Sequence, residues 1–441
     1  MRPGRFLLLR GSGRFSLLFI RTLGVLAALS LQQTATAEPI DSNQHLGVAS
    51  CATGVCHGKL TEAEDSNVWL NEYRIWSGDD RHARAYQTLL SDRSKAIARK
   101  LGLPNAQGAK ICLDCHSDNV PPAQRGTKFQ LSDGVGCEAC HGGAEKWLES
   151  HTEPGVSHAD NLANGMLGTE DINVRAQVCL SCHLGTGKQF ATHRIMGAGH
   201  PRLGFELEAY TANQPAHFAV DEDYIRRKGA PSGFEVWRAG QVESTRRYLQ
   251  LMNTALFAEG DLLPDFSFYD CHSCHHPMEN IRWPNVREQQ NLIPGSLRLQ
   301  DQNIFMLRAL VEVLQADAAG ELRNLHLKML RAGQKSVPQA KTAAAALLSW
   351  LDKQSWVTSS VTDAQVKSVR AAIARLAASG VLADYANAEQ AFLAIESLSF
   401  SIGDSNNLQN RLDALYEAVE SDENFNAAGF RRAARSLADA L

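Results

Sequence analysis

Cys112-Leu113-Asp114-Cys115-His116 and Cys137-Glu138-Ala139-Cys140-His141 carry one pattern at two places in the chain. The pattern recurs as Cys179-Leu180-Ser181-Cys182-His183 and Cys271-His272-Ser273-Cys274-His275, and in a wider form as Cys51-Ala52-Thr53-Gly54-Val55-Cys56-His57. All 10 cysteines of the 441 residues fall into these pairs, and every pair runs directly into histidine. With 15 His in 441 residues, a given Cys precedes His about 3% of the time, so five successes have chance odds on the order of one in ten million. Coincidence is excluded.

The chemistry that needs this arrangement is covalent attachment of haem c. Two thiols add across the porphyrin vinyl groups as thioethers, and the next residue turns its imidazole under the ring as the proximal iron ligand. Five motifs predict five haems, with His57, His116, His141, His183 and His275 as proximal ligands. Zinc would draw two cysteine pairs per tetrahedral ion, which five pairs do not satisfy, and would leave the adjoining histidines unexplained. A thioredoxin-like pair would be expected once or twice beside a βαβ pattern, which is not evident. Plain disulfides again leave the histidines without a role. The first motif is the weakest, because its loop holds four residues. Gly54 allows that loop to bulge, and a structural disulfide between Cys51 and Cys56 is the alternative.

Each proximal ligand calls for a partner on the opposite face of its iron. Context singles out His82 beside Trp76, His151 after the third motif, and His193 and His200 around a glycine-containing turn. His217, after Pro215, completes the set. His45 and His158 lie in loops with no distinguishing context. His272 and His276 flank their own proximal ligand too closely to reach the far face of the same haem, and His326 belongs to a helical region. Met166, Met196, Met252 and Met278 are other iron donors, although packing is their ordinary use. Because histidines outnumber the vacant positions, counting alone does not reveal an open iron.

The segment 38–290 holds all five motifs and reads as a mainly α multihaem cytochrome c domain with little regular sheet and a core filled largely by porphyrin. The short step from His116 to His141 suggests neighbouring haems. From residue 297 to 441 the chain has one proline, no cysteine and Ala/Leu-rich helical periodicity, predicting four to six antiparallel helices. Thr362-Asp363-Ala364-Gln365 reads as a capping box, with Gly380 as the helix stop. These helices either pack over the haem region or offer a docking surface.

At the N-terminus, five Arg precede the apolar run 22–31 and the small-residue site Ala35-Thr36-Ala37, so residues 1–37 read as a signal peptide cleaved after about Ala37. The apolar run is too short to span a bilayer. Cleavage would move the formal net charge from −4 to −9, because the segment holds five Arg and no acid. That balance excludes a general nucleic-acid binder. The expected location is periplasmic, with no transmembrane span in the mature chain. The expected partners are other redox proteins or quinol-linked membrane cytochromes.

The stretch from Gly134 to Gly143, with His151 downstream, Trp76 to Ala83, and the order of motifs resemble the multihaem cytochrome c-552/4 family over roughly residues 45–285. That resemblance implies a haem-packed helical fold, export, and electron transfer between redox partners. It also implies that a downstream histidine such as His82 or His151 ligates a haem other than the one attached nearest to it. The fifth motif and the C-terminal helices exceed the family's tetrahaem pattern. No C-x-x-C-K occurs, which argues against a lysine-ligated catalytic haem. The rival reading is an oxidoreductase acting on a small nitrogen or sulfur compound at one open haem, with Arg81, Arg194 or Arg202 polarising the substrate.

Overall fold

The computed structural model describes residues 42–63, 68–257, 264–276, 292–293 and 295–441. The expected signal peptide lies outside them. The chain is mainly α, and among the described residues there is no sheet, only isolated bridges between His45 and Arg125 and between Tyr269 and Leu299. The motif-bearing region contains α1 (Glu72–Asp79), α2 (Ala85–Thr88), α3 (Asp92–Leu101), α4 (Lys110–His116), α5 (Cys137–His141), α6 (His158–Ala163), α7 (Ile172–His183), α8 (His193–Gly197), α9 (Leu207–Asn213), α10 (Glu222–Lys228) and α11 (Gly233–Leu251). Then follow α12 (Gln302–Leu314), α13 (Ala319–Gly333), α14 (Val337–Leu351), α15 (Asp363–Ser379), α16 (Tyr385–Ser401), α17 (Ser405–Glu417) and α18 (Ala427–Ala438).

Seven helices thus follow residue 297, against an expected four to six. The extra ones arise at breaks that apolar periodicity passes over, at Gly403-Asp404 and around residues 418–426. The capping box forms as read: the Thr362 side chain takes the Gln365 N–H and the Gln365 side chain takes the Thr362 N–H. Gly380 ends the same helix with φ of 86°, a left-handed conformation that costs glycine little.

Apolar burial is uneven along the chain. One large core joins Phe234, Trp237, Leu249 and Phe268 to Phe305, Leu310, Ile373, Leu398 and Phe430. It therefore contains residues from both sides of position 297, with α11 packed on α12, α14 and α16. Among the described residues, the region around the first four motifs has small clusters, one of Leu89, Ala98, Ala106 and Leu113, another of Ala176 and Leu180 with Leu207 and Val236 from beyond the fourth motif. Side chains alone supply little interior there.

A buried polar knot sits in the large core. Asp301 accepts hydrogen bonds from Arg298 at 2.7 Å, His326 at 2.9 Å and Asn387 at 3.0 Å. Asp384, which caps α16 through the Asn387 N–H at 2.8 Å, faces the same group. Burial, then the Asp270 charge, push the Asp384 carboxyl from 3.8 up to about 7, with Arg298 opposing and Asp301 adding to the rise. A carboxyl raised by folding favours the folded state while protonated. Its contribution is present below the unfolded value and is lost as pH climbs through the folded one. Asp384→Asn keeps a good N-cap and is expected to flatten the decline in stability between about pH 4 and pH 7. Urea unfolding across that range would show an unchanged slope if Asp384 ionised normally.

Candidate functional site

In three motifs the geometry follows from helix periodicity. The cysteines of C-x2-C lie at i and i+3 and the histidine at i+4, so all three share one face. Helices α4, α5 and α7 each end on the motif histidine, at His116, His141 and His183. The fifth motif begins in a short 3-10 turn at Cys271–Ser273. In the first, the wider loop bulges and is closed by the His57 N–H on the Cys51 carbonyl at 3.1 Å. The glycine this closure requires is Gly58 rather than Gly54. A Cβ at Gly58 would lie 2.0 Å from the Ala52 carbonyl oxygen, whereas Gly54 faces open space.

The five motif histidines each stand opposite one distant histidine. Ring centroids are 6.3 Å apart for His57 and His151, 6.3 Å for His116 and His200, and 6.3 Å for His141 and His217. They are 6.2 Å apart for His183 and His82 and 6.2 Å for His275 and His193. Two imidazoles held on opposite sides of one metal, each nitrogen about 2.0 Å from it and each centroid about 1.1 Å further back, sit about 6.2 Å apart. The spacing and the donor set fit a six-coordinate haem iron at each of the five places.

Ring-nitrogen usage points the same way. His57 Nδ1 meets Glu72 at 2.8 Å, and His82 Nδ1 meets Asp80 at 2.8 Å. His116 Nδ1 meets the Ala85 carbonyl at 3.0 Å, His151 Nδ1 that of Trp147 at 3.2 Å and His200 Nδ1 that of Pro201 at 2.8 Å. Each bond engages Nδ1 as donor and so leaves Nε2 as the nitrogen with the lone pair, which is how a second partner fixes the ligating tautomer. His158, His272 and His326 instead turn Nε2 to a carboxylate, at Glu170, Asp422 and Asp301 respectively. His45 sits in a group with Asp118 and Glu138, its Nδ1 2.7 Å from Asp118. Glu138 braces the third motif, accepting from the backbone N–H of Leu46, Gly47 and Ala144. Met252 is fully buried in the apolar core.

Burial, then the facing His217, depress His141 to about 4. Burial, then His82, do the same to His183, and burial lowers His116. Burial thus favours the neutral imidazole, the form that donates a lone pair to a metal. His57 is raised, first by its hydrogen bond to Glu72 and against burial. Asp80 is held at about 2: burial works against the carboxylate, and the hydrogen bonds from His82 and Gln214 outweigh it. Neither Glu72 nor Asp80 was singled out from sequence. Asp80 lies two residues before His82, but Glu72 is fifteen residues past His57, and only the fold brings it to that ring.

Residues 50–142, which span the first three motifs, match the family model of cytochrome c554 and c-prime. The match supports a cytochrome c family relationship and with it haem c, iron and a role in electron transport. It covers a narrower stretch than the resemblance read over residues 45–285. No curated protein and no solved structure matches the chain. Among the described residues no helix is long and apolar enough to cross a membrane.

Proposed function

We propose that the chain is an exported five-haem c-type cytochrome that passes electrons between periplasmic redox proteins, or between these and a quinol-linked membrane cytochrome. Cys51 and Cys56, Cys112 and Cys115, Cys137 and Cys140, Cys179 and Cys182, and Cys271 and Cys274 tether the porphyrins. The observation that carries this reading is the set of five imidazole pairs at 6.2 to 6.3 Å, which gives each motif histidine a partner ring. Bound haem supplies reversible one-electron chemistry. The paired rings would hold each haem iron from both sides, which favours a carrier over an enzyme with an open iron.

Contacts between motifs support an order for the conduit. Glu138 of the third motif takes the Leu46 and Gly47 N–H just ahead of the first, each at 2.7 Å, and Cys182 Sγ meets the Asp114 carbonyl at 3.8 Å, so the first site adjoins the third and the second adjoins the fourth. The His82 carbonyl takes the Val135 N–H at 3.1 Å, which sets the ring facing the fourth motif against the approach to the third and joins third to fourth. The segment through α8 carries both His193 and His200, joining fifth to second. Electrons then enter or leave at the first and fifth haems. The second and third motifs, nearest in sequence, are connected through the fourth.

Intact-mass measurement of the exported protein should give the cleaved polypeptide plus five haems; four would return Cys51 and Cys56 to a disulfide. The ferric protein should be wholly low-spin and indifferent to cyanide or nitrite. A high-spin signal that shifts on adding either would favour the oxidoreductase.

A further inference from the structure

Among the ten paired rings, carboxylates reach Nδ1 of two, His57 and His82, while the bonds at His116, His151 and His200 go to backbone carbonyls. We infer that Glu72 and Asp80 are potential-setting residues that make the first and fourth haems the low-potential members of the five. This rests on the five bis-imidazole haems proposed above. An Nδ1–H that donates to a carboxylate is more polarised than one that donates to an amide, so the ring becomes a more basic, more electron-rich donor. Negative charge on the ligand stabilises the ferric centre over the ferrous one that forms by taking up one electron, with no bond or proton exchanged.

Both carboxylates are held for this task. Glu72 begins α1, and its second oxygen takes the Leu70 N–H at 3.0 Å, fixing the first oxygen on His57. Asp80 is 5% exposed, so little water screens it. One of its oxygens takes both the His82 N–H at 2.9 Å and His82 Nδ1, and the other takes Gln214 at 3.0 Å. Gln214 lies three residues before His217, so the Asp80 carboxylate bridges the ligand of the fourth haem and the segment carrying the ligand of the third. On the conduit order above, the two low-potential centres are separated by the third haem.

Ring orientation separates the two effects in one experiment. His57 and His151 lie within 12° of parallel, whereas His82 and His183 cross at 88°. Parallel rings donate into one iron π orbital and split the pair strongly, which gives a rhombic ferric spectrum. Crossed rings leave the pair nearly degenerate and give a strongly anisotropic signal.

The test is redox titration followed by electron paramagnetic resonance on the haem-loaded full chain and its Glu72→Gln and Asp80→Asn variants, both near-isosteric. Each variant should shift the redox equilibrium of a single centre about tenfold toward the ferrous form, about 59 mV upward for a one-electron couple. Glu72→Gln should move a rhombic centre and Asp80→Asn an anisotropic one. Asp118→Asn removes a matched carboxylate from Nδ1 of His45, a ring outside the five pairs, and should move every midpoint by much less than the other two variants move theirs. If the wild type holds five low-spin haems but neither variant moves a midpoint, or Asp118→Asn moves one equally, the tuning role is overturned and the ligand pairs stand. A wild type without five low-spin haems overturns both.

Discussion

On the proposed five-haem reading, His82→Ala is expected to convert one low-spin ferric haem to a high-spin centre while the other four keep their spectra. His82 lies 101 positions before His183, and its ring stands 6.2 Å from the His183 ring across the space an iron would fill. Removing it takes away the sixth donor and leaves a cavity in line with His183. Cyanide should then bind at one haem per chain, and added imidazole, filling the same cavity, should restore the low-spin signal. A purely structural His82 would give neither the single-site cyanide shift nor the imidazole rescue. A variant with all five haems still low-spin would remove His82 from the ligand set.

The same substitution explains which parts of the site are readable from sequence. The attachment motifs are local: Cys at i and i+3 and His at i+4 state their chemistry within five residues. The facing histidines carry weaker local marks, an adjacent aromatic for His82 and His151 and glycines around His193 and His200. Their pairing has no local mark, because each pair joins residues between 76 and 101 positions apart. The gap from His57 to His151 passes over two other motifs before the ring returns. Glu72 was invisible for the same reason, since a glutamate at the start of an amphipathic helix ordinarily faces water. The helical region followed its own local rules, with Thr362 and Gly380 bounding α15 where a capping box and an αL glycine would place them. The core it shares with α11 was not legible, because apolar periodicity states that a face is buried and not against what.

Asp301→Ala is expected to destabilise the fold by about 3–5 kcal/mol, the cost of breaking a buried charge pair by removing one partner. Asp301 is 3% exposed and is the acceptor for Arg298, His326 and Asn387. Burial opposes its charge, and the neighbouring Arg298, then His326, hold its carboxyl far below the ordinary range. A carboxyl lowered by folding contributes stability above its unfolded value and loses it only as pH falls toward the folded one, so the full penalty should appear at neutral pH. Without Asp301, the Arg298 guanidinium remains enclosed with the Asp384 and Asp270 charges still acting on it, and His326 loses its Nε2 partner in a fully buried position. Denaturant unfolding followed by circular dichroism would measure the loss. A variant within about 1 kcal/mol of the parent would mean that water or Asp384 takes over the role of Asp301. Because Asp270 immediately precedes Cys271 and donates its N–H to the Arg298 carbonyl at 2.8 Å, the damage should reach the fifth attachment loop first. Release of the low-spin signature of one haem before global unfolding is the expected sign of that route.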